Sequence, residues 1–170
     1  VRVNIQGTVN VILASILKGA ERIVFASTGS VYSKKVQIPI KEDAETVPSS
    51  LYGISKLCAE DIIKYYRRKL PYVILRYGYV YGPGKDWGAV GAFLKLIRAK
   101  REPEVYGGRQ TNDFVYVKDI VQANIQALET DWIDEIYNIG TGRATSILDV
   151  CEACLRATNS KLEPKIEPAR

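Results

Sequence analysis

Tyr52 and Lys56 stand four residues apart in YGISK, a spacing that puts both side chains on one face wherever the segment is helical. The pairing has a chemical use. A tyrosine working as a base near neutral pH must lose about three units from a free pKa of about 10, and an ammonium roughly 5 Å away at an effective dielectric near 20 supplies about two of them. Two common surface residues at helical spacing look the same, so the pair alone leaves both readings open. Upstream, an apolar run leads straight into Ser27, Thr28, Gly29 and Ser30. Hydroxyls at the carboxyl end of a strand lie where α/β sheets place ligands, and one of them could hydrogen-bond a substrate oxygen beside Tyr52. The alternative is that they satisfy turn and helix-cap groups.

These residues need elements to hold them. Val9, Ile12, Leu13, Ile16 and Leu17 make one face of a first helix ending near Gly19, and RIVFAS (22–27) follows as a short strand. A polar, proline-containing loop covers about 28–50, the helical pattern resumes from Leu51 to about Lys69, and YVILR (72–76) is the next strand. Helix, strand, helix, strand is the order of an α/β domain with a parallel sheet. Beyond Gly82-Pro83-Gly84 the units shorten: a helix at 88–100, strands at EVYG and DFVYV, a helix entered at Asp119, a strand at IYNIG and a last helix from Ser146. The turn-rich segment 77–86 is the expected division.

Composition narrows the chemistry. The chain has 170 residues, 46% hydrophobic and 25% charged, which suits an ordinary globular domain. With no histidine it has no Ser-His-Asp triad, Cys-His dyad or His-containing zinc site of its own. Cys58, Cys151 and Cys154 are too few for a disulfide framework. The C-x-x-C of the last two lies in a helical pattern that reads as packing, and no metal site is expected. The net charge of +5 is spread among acidic residues, so no nucleic-acid partner is expected. No apolar run reaches the length that spans a bilayer, and the expectation is a soluble, cytoplasmic protein without a membrane partner.

Six segments in order, NIQGT (4–8), FASTGSVY (25–32), PSSLYGISK (48–56), LRYGYVYGPG (75–84), QTNDFVYVKD (110–119) and YNIGTG (137–142), make the chain resemble the NAD-dependent epimerase/dehydratase family of extended short-chain dehydrogenases/reductases. Within that family it is most similar to nucleotide-sugar 4-epimerases of the UDP-glucose type. The resemblance implies an α/β fold: the second half of a Rossmann-like parallel sheet with helices on both faces, and a small α/β substrate-binding cap. Residues 1–84 would complete the NAD-binding domain, and 85–170 would be mainly substrate-binding with some elements returning to the sheet. The implied catalytic residues are Tyr52 as base, Lys56 as its ribose-binding partner and Thr28 as the third hydroxyl. Asn4, Ser27, Tyr52, Lys56 and Tyr77 would border NAD; Thr28, Ser30, Tyr79 and Arg109 would face the nucleotide sugar. A homodimer is implied, because the first and the Tyr52-bearing helices resemble those that pair subunits in this family.

The departures are informative. Dehydratases of the family carry an Asp-Glu pair after the threonine, and its decarboxylases an acid there, where this chain has Gly29 and Ser30. Epimerisation, or simple reduction of a keto sugar by NAD(P)H, is therefore expected over elimination; a non-catalytic binding or dimerisation module is the third reading. The family's diphosphate-contacting asparagine and arginine are replaced by Tyr79 and Asn112, which leaves Arg109 as a substitute cation or as a solvated turn residue. No glycine-rich dinucleotide turn opens the sequence, and there is no methionine. The expectation is an internal segment of a longer protein, inactive by itself.

Overall fold

The structure is a computed structural model and describes residues 2–169. It divides into two compact units, one running to Gly78 and including Asp119–Ile139, the other comprising Tyr79–Lys118 and the residues from Gly140 onward.

The first unit opens with a π-helical turn, Arg2–Gln6, leading into α1 (Gly7–Leu17), then β1 (Ile23–Thr28) and a 3-10 turn at Gly29–Val31. A loop follows before α2 (Leu51–Tyr65) and β2 (Tyr72–Tyr77). The strand β7 (Glu135–Ile139) completes a parallel sheet in the order β1-β2-β7, and α4 (Val117–Glu129) precedes it. Because side chains alternate along a strand, β2 feeds both faces. Tyr72 and Ile74 pack with Ile12, Ile63 and Leu70 on the α1/α2 side. Val73 and Leu75 pack with Ala127 of α4 on the other. Helices thus cover both faces, which is why YVILR is apolar throughout until Arg76.

The helix α2 ends at Tyr65, earlier than the expected end near Lys69. The apolar pattern runs on because Leu70 is buried, but it arrives by a turn: the N–H groups of Lys69 and Leu70 both donate to Tyr66 O, at 2.8 and 3.0 Å. Pro71 disfavours a helical conformation at the residue before it. In α4 the helix starts at Val117, before the expected Asp119.

In the second unit, β3 (Tyr79–Tyr81) pairs in parallel with β6 (Phe114–Tyr116), β4 (Glu104–Tyr106) in parallel with β9 (Lys165–Glu167), and β5 (Thr111–Asn112) antiparallel with β8 (Thr145–Ser146). Its core joins α3 (Gly88–Arg98) and α5 (Ile147–Ala157) through Phe93, Ile97, Val105, Val150 and Leu155. Cys151 and Cys154 belong to this core as free thiols. Burial pushes the Cys151 thiol up to about 11, so it stays protonated at neutral pH, as packing requires.

Candidate active site

Ser50 fixes where α2 begins. Its side chain accepts the Gly53 N–H at 3.0 Å, a helix N-cap that makes Tyr52 the second residue of the helix. Gly53 then lets the helix start close against the 3-10 turn: a Cβ there would lie 2.4 Å from Ser30 O and 2.8 Å from the Pro48 Cβ. The glycine of YGISK is therefore a contact requirement. It brings the Tyr52 end of α2 to the turn that continues β1.

Thr28 closes β1 and caps that turn. Its Oγ1 accepts the Ser30 N–H at 3.2 Å and donates to Ser30 Oγ at 3.3 Å. The hydroxyls of Thr28 and Ser30 thus sit together at the strand's carboxyl end, with Ser30 exposed and Thr28 half-buried. Tyr52 is 51% exposed.

Lys56 lies one turn further along α2. Its Nζ donates to Ala26 O of β1 at 2.8 Å and stands 4.7 Å from the centre of the Phe25 ring. Burial lowers its pKa below the ordinary lysine value, and the charge of Glu60 opposes that shift. An ammonium has three N–H donors; with one given to Ala26, two remain for a hydroxyl-bearing ligand.

Asn4 and Ser27 are placed differently from a simple ligand-lining role. Asn4 Nδ2 donates to the buried Ser55 Oγ at 2.9 Å, which donates to Tyr52 O at 2.8 Å. Asn4 is thereby tied to the backbone of the Tyr52 turn. Ser27 is buried and gives its hydroxyl to Glu60 Oε1 at 2.5 Å, leaving its main chain to meet any cofactor. Tyr77 is the β2 partner of Thr28. Its phenol pairs with Asn124 of α4, donating to Oδ1 at 2.9 Å and accepting from Nδ2 at 2.8 Å, and burial raises its pKa.

The other two expected residues belong to the second unit. The Tyr79 ring packs on Phe114, with centroids 4.8 Å apart, and lies under Lys85 Nζ at 4.9 Å. Its hydroxyl accepts the Ala89 N–H at the start of α3, at 3.3 Å. Tyr79 therefore spends its side chain on packing and on α3. Arg109 is exposed and has no side-chain partner among the described residues.

Sequence reasoning passed over Glu60 and Arg76. The Arg76 guanidinium grips Glu60 in bidentate fashion, Nε to Oε1 at 3.1 Å and Nη2 to Oε2 at 2.7 Å. Its Nη1 donates to Tyr32 Oη at 2.8 Å and Glu42 O at 3.0 Å. Both side chains are essentially inaccessible, at 2% and 0% exposure. An arginine inside an otherwise apolar strand was the available signal, together with a glutamate four residues after Lys56.

The sequence profile of the NAD dependent epimerase/dehydratase family matches residues 1–140. Over 153 residues the chain is 40% identical to the protein named "Putative UDP-glucose 4-epimerase" of Methanocaldococcus jannaschii, across 85% of this chain and 50% of that one. It is 36% identical to the UDP-N-acetyl-alpha-D-glucosaminuronate decarboxylase of Bacillus cytotoxicus, across 94% of this chain and 53% of the other. Among solved structures, the UDP-glucose 4-epimerase of Thermotoga maritima with UDP-glucose superposes with a TM-score of 0.92 at 34% identity, over 99% of this chain and 57% of that one. The chain spans about half the length of the curated relatives it matches.

Proposed function

Because the chain belongs to the NAD-dependent epimerase/dehydratase family, we propose that the protein inverts a nucleotide sugar at C4, with Tyr52, Lys56 and Thr28 doing the proton chemistry. One observation supports this most: α2 meets the hydroxyl end of β1 through Gly53 while Lys56 is anchored on Ala26. The donor set suits the nicotinamide-ribose half of NAD, since Lys56 keeps two N–H donors for ribose hydroxyls beside the exposed Tyr52 phenol. When bound, NAD takes a hydride from the sugar carbon and returns it.

The chain's own part is the proton. Tyr52 would take the C4 hydroxyl proton as base while that C–O becomes a carbonyl. Thr28 would hydrogen-bond that oxygen from β1, and Lys56, one helical turn from Tyr52 on the same face, would hold the cofactor ribose. Tyr52 would give the proton back as the turned keto sugar is reduced on its other face, so that the isomerisation consumes nothing. Gly29 and Ser30 follow Thr28 and supply no carboxylate for eliminating water or handling carbon dioxide loss. Arg109 is the cation offered to the substrate diphosphate, with Tyr79 holding the start of α3.

A second copy is the partner proposed for the outer face of α1 and α2. A groove of about 630 Å3 there is lined by Val9, Ile54, Leu57, Ile62, Tyr65 and Tyr66, and Leu17, Leu51 and Tyr65 are 80% exposed or more. Apolar surface of that kind supports an interface there. Ile54→Asp should convert a dimer to monomer in sedimentation; a monomeric parent protein would remove this part of the proposal.

The test of the reaction is to offer the full-length protein a nucleotide hexose and follow both C4 epimers by NMR. Interconversion without net NADH formation is expected. Accumulation of a 4-keto-6-deoxy sugar, or cofactor consumed in step with product, would replace the epimerase reading by a dehydratase or a reductase.

A further inference from the structure

Tyr52, Lys56 and Glu60 recur every fourth residue along α2 and so form one stripe. Two of the three are bonded to successive residues of β1: Lys56 Nζ to Ala26 O at 2.8 Å, and Glu60 Oε1 to Ser27 Oγ at 2.5 Å. Two attachments one helical turn apart tie this face of the helix to the strand and fix its rotation. Tyr52 is the next position on the stripe, beside Gly53, which packs the start of α2 against Ser30 O in the turn after β1. Arg76 then locks Glu60 from β2, and its remaining N–H reaches Tyr32 and Glu42 in the loop after Thr28. One buried pair therefore touches β1, α2 and β2, which supply Ser27, Thr28, Tyr52, Lys56 and Tyr77, and the loop that follows the Ser30 turn.

Stability does not call for such a pair. Apolar residues of similar volume commonly replace a buried ion pair at no loss of stability, whereas a misplacement of about 1 Å at a reacting centre costs on the order of a hundredfold in rate. We propose that Glu60, locked by Arg76, is a positioning residue that sets the register of α2 on β1 and so aims Tyr52 and Lys56 at the site. It also acts on Lys56 through charge. Along α2, Lys56 is flanked by Tyr52 and Glu60; β1 presents the uncharged Phe25 ring and Ala26 carbonyl; Arg76 arrives from β2 behind Glu60, and Lys64 lies 3.9 Å from the Glu60 carboxylate. Glu60 is thus the negative charge that opposes the effect of burial on the Lys56 ammonium.

The experiment uses the full-length protein with Glu60→Gln, followed by two readouts. Titration of the Lys56 ammonium by NMR should have its midpoint moved down by about one unit or more, since removing a nearby negative charge disfavours the charged form. Epimerase kcat should fall at least about tenfold with sugar KM changed less than about twofold, the pattern of lost transition-state geometry. The kcat readout rests on the proposed reaction and the titration does not, so an inactive parent protein sinks that reaction while the titration still decides this inference. If Glu60→Gln leaves Arg76 unpaired and the fold fails, the double variant E60L/R76M, which strands no charge, takes the kcat and KM readout, because its two lost charges act on Lys56 in opposite directions. A folded Glu60→Gln variant whose Lys56 midpoint stays within about 0.3 unit of the parent, or a folded variant of either kind that keeps the parent's kcat, overturns the proposal.

Discussion

The two units spend their polar side chains differently. Among the described residues, the buried polar and charged ones are Thr8, Ser27, Ser55, Glu60 and Arg76, all in the first unit. The second unit buries apolar side chains, and its polar groups secure surface turns: Asp113 accepts the N–H groups of Thr141 and Gly142 at 2.9 Å each. Burying hydrogen-bonded polar groups is costly unless each finds its partner, and here each is partnered. The first unit thus has a buried, hydrogen-bonded polar scaffold linking the elements that carry Tyr52, Lys56 and Thr28. In the second, loop residues such as Arg109 can change without disturbing a core. Residue roles carried from one protein to another should hold where the scaffold fixes the side chain and drift where it does not.

The hardest blow to that contrast falls on Tyr52. Tyr52→Phe removes one hydroxyl from a side chain half open to solvent, so the fold should keep its stability. The rate kcat should fall by at least about a hundredfold, the low end of general acid-base contributions. Steady-state kinetics beside thermal denaturation check both halves, and an unchanged kcat removes Tyr52 as the base.

Gly53→Ala comes next, because it attacks the scaffold rather than the chemistry. The new Cβ would press on the Ser30 carbonyl and on Pro48, neither of which is a flexible side-chain end. Overpacking of this kind costs about 1–3 kcal/mol, and the displaced helix start should lower kcat with it. Urea unfolding of the variant with the parent's midpoint would show that the close approach is not a constraint.

How far these features were visible in the sequence follows the same division. The Tyr52-Lys56 face and the hydroxyl end of β1 were legible because each is a local pattern, four residues on a helix or a strand running into Ser and Thr. Glu60 was not, because AEDIIKYYRRK reads as a solvated charged face until Arg76, far along the chain, is brought beside it by the parallel register of β1 and β2. The short strands β5 and β8 are two residues each, too brief to show a period. The end of α2 misled in the opposite direction, because the helical pattern reads on to about Lys69 past a chain that has already turned at Tyr66.

A smaller effect separates Lys56 from an ordinary surface lysine. Burial lowers its pKa, and the form proposed to hold cofactor ribose is the protonated one. Affinity for NAD should therefore be full at neutral pH and decline as pH rises through that lowered pKa, before the range in which free lysine titrates, about 10.4. Lys56→Met should weaken NAD binding at neutral pH and abolish the alkaline limb. A limb that persists in the variant, measured by calorimetric titration across pH, would assign it to another group.

Arg109 gives the mildest test and the one aimed at the second unit. Its side chain is exposed and unpartnered among the described residues, so Arg109→Ala should leave unfolding untouched. If a guanidinium there meets the substrate diphosphate, it binds ground and transition states alike, because the diphosphate takes no part in the change at C4. Loss of uniform binding raises KM and spares kcat, and one exposed charge-assisted contact is worth about tenfold in KM, or about 1.4 kcal/mol. A tenfold rise in KM for the nucleotide sugar at constant kcat would show that the second unit recognises substrate with a loop cation which no scaffold fixes. An unchanged KM would make Arg109 a solvated turn residue and leave all the chemistry proposed for this chain to the unit with the polar core.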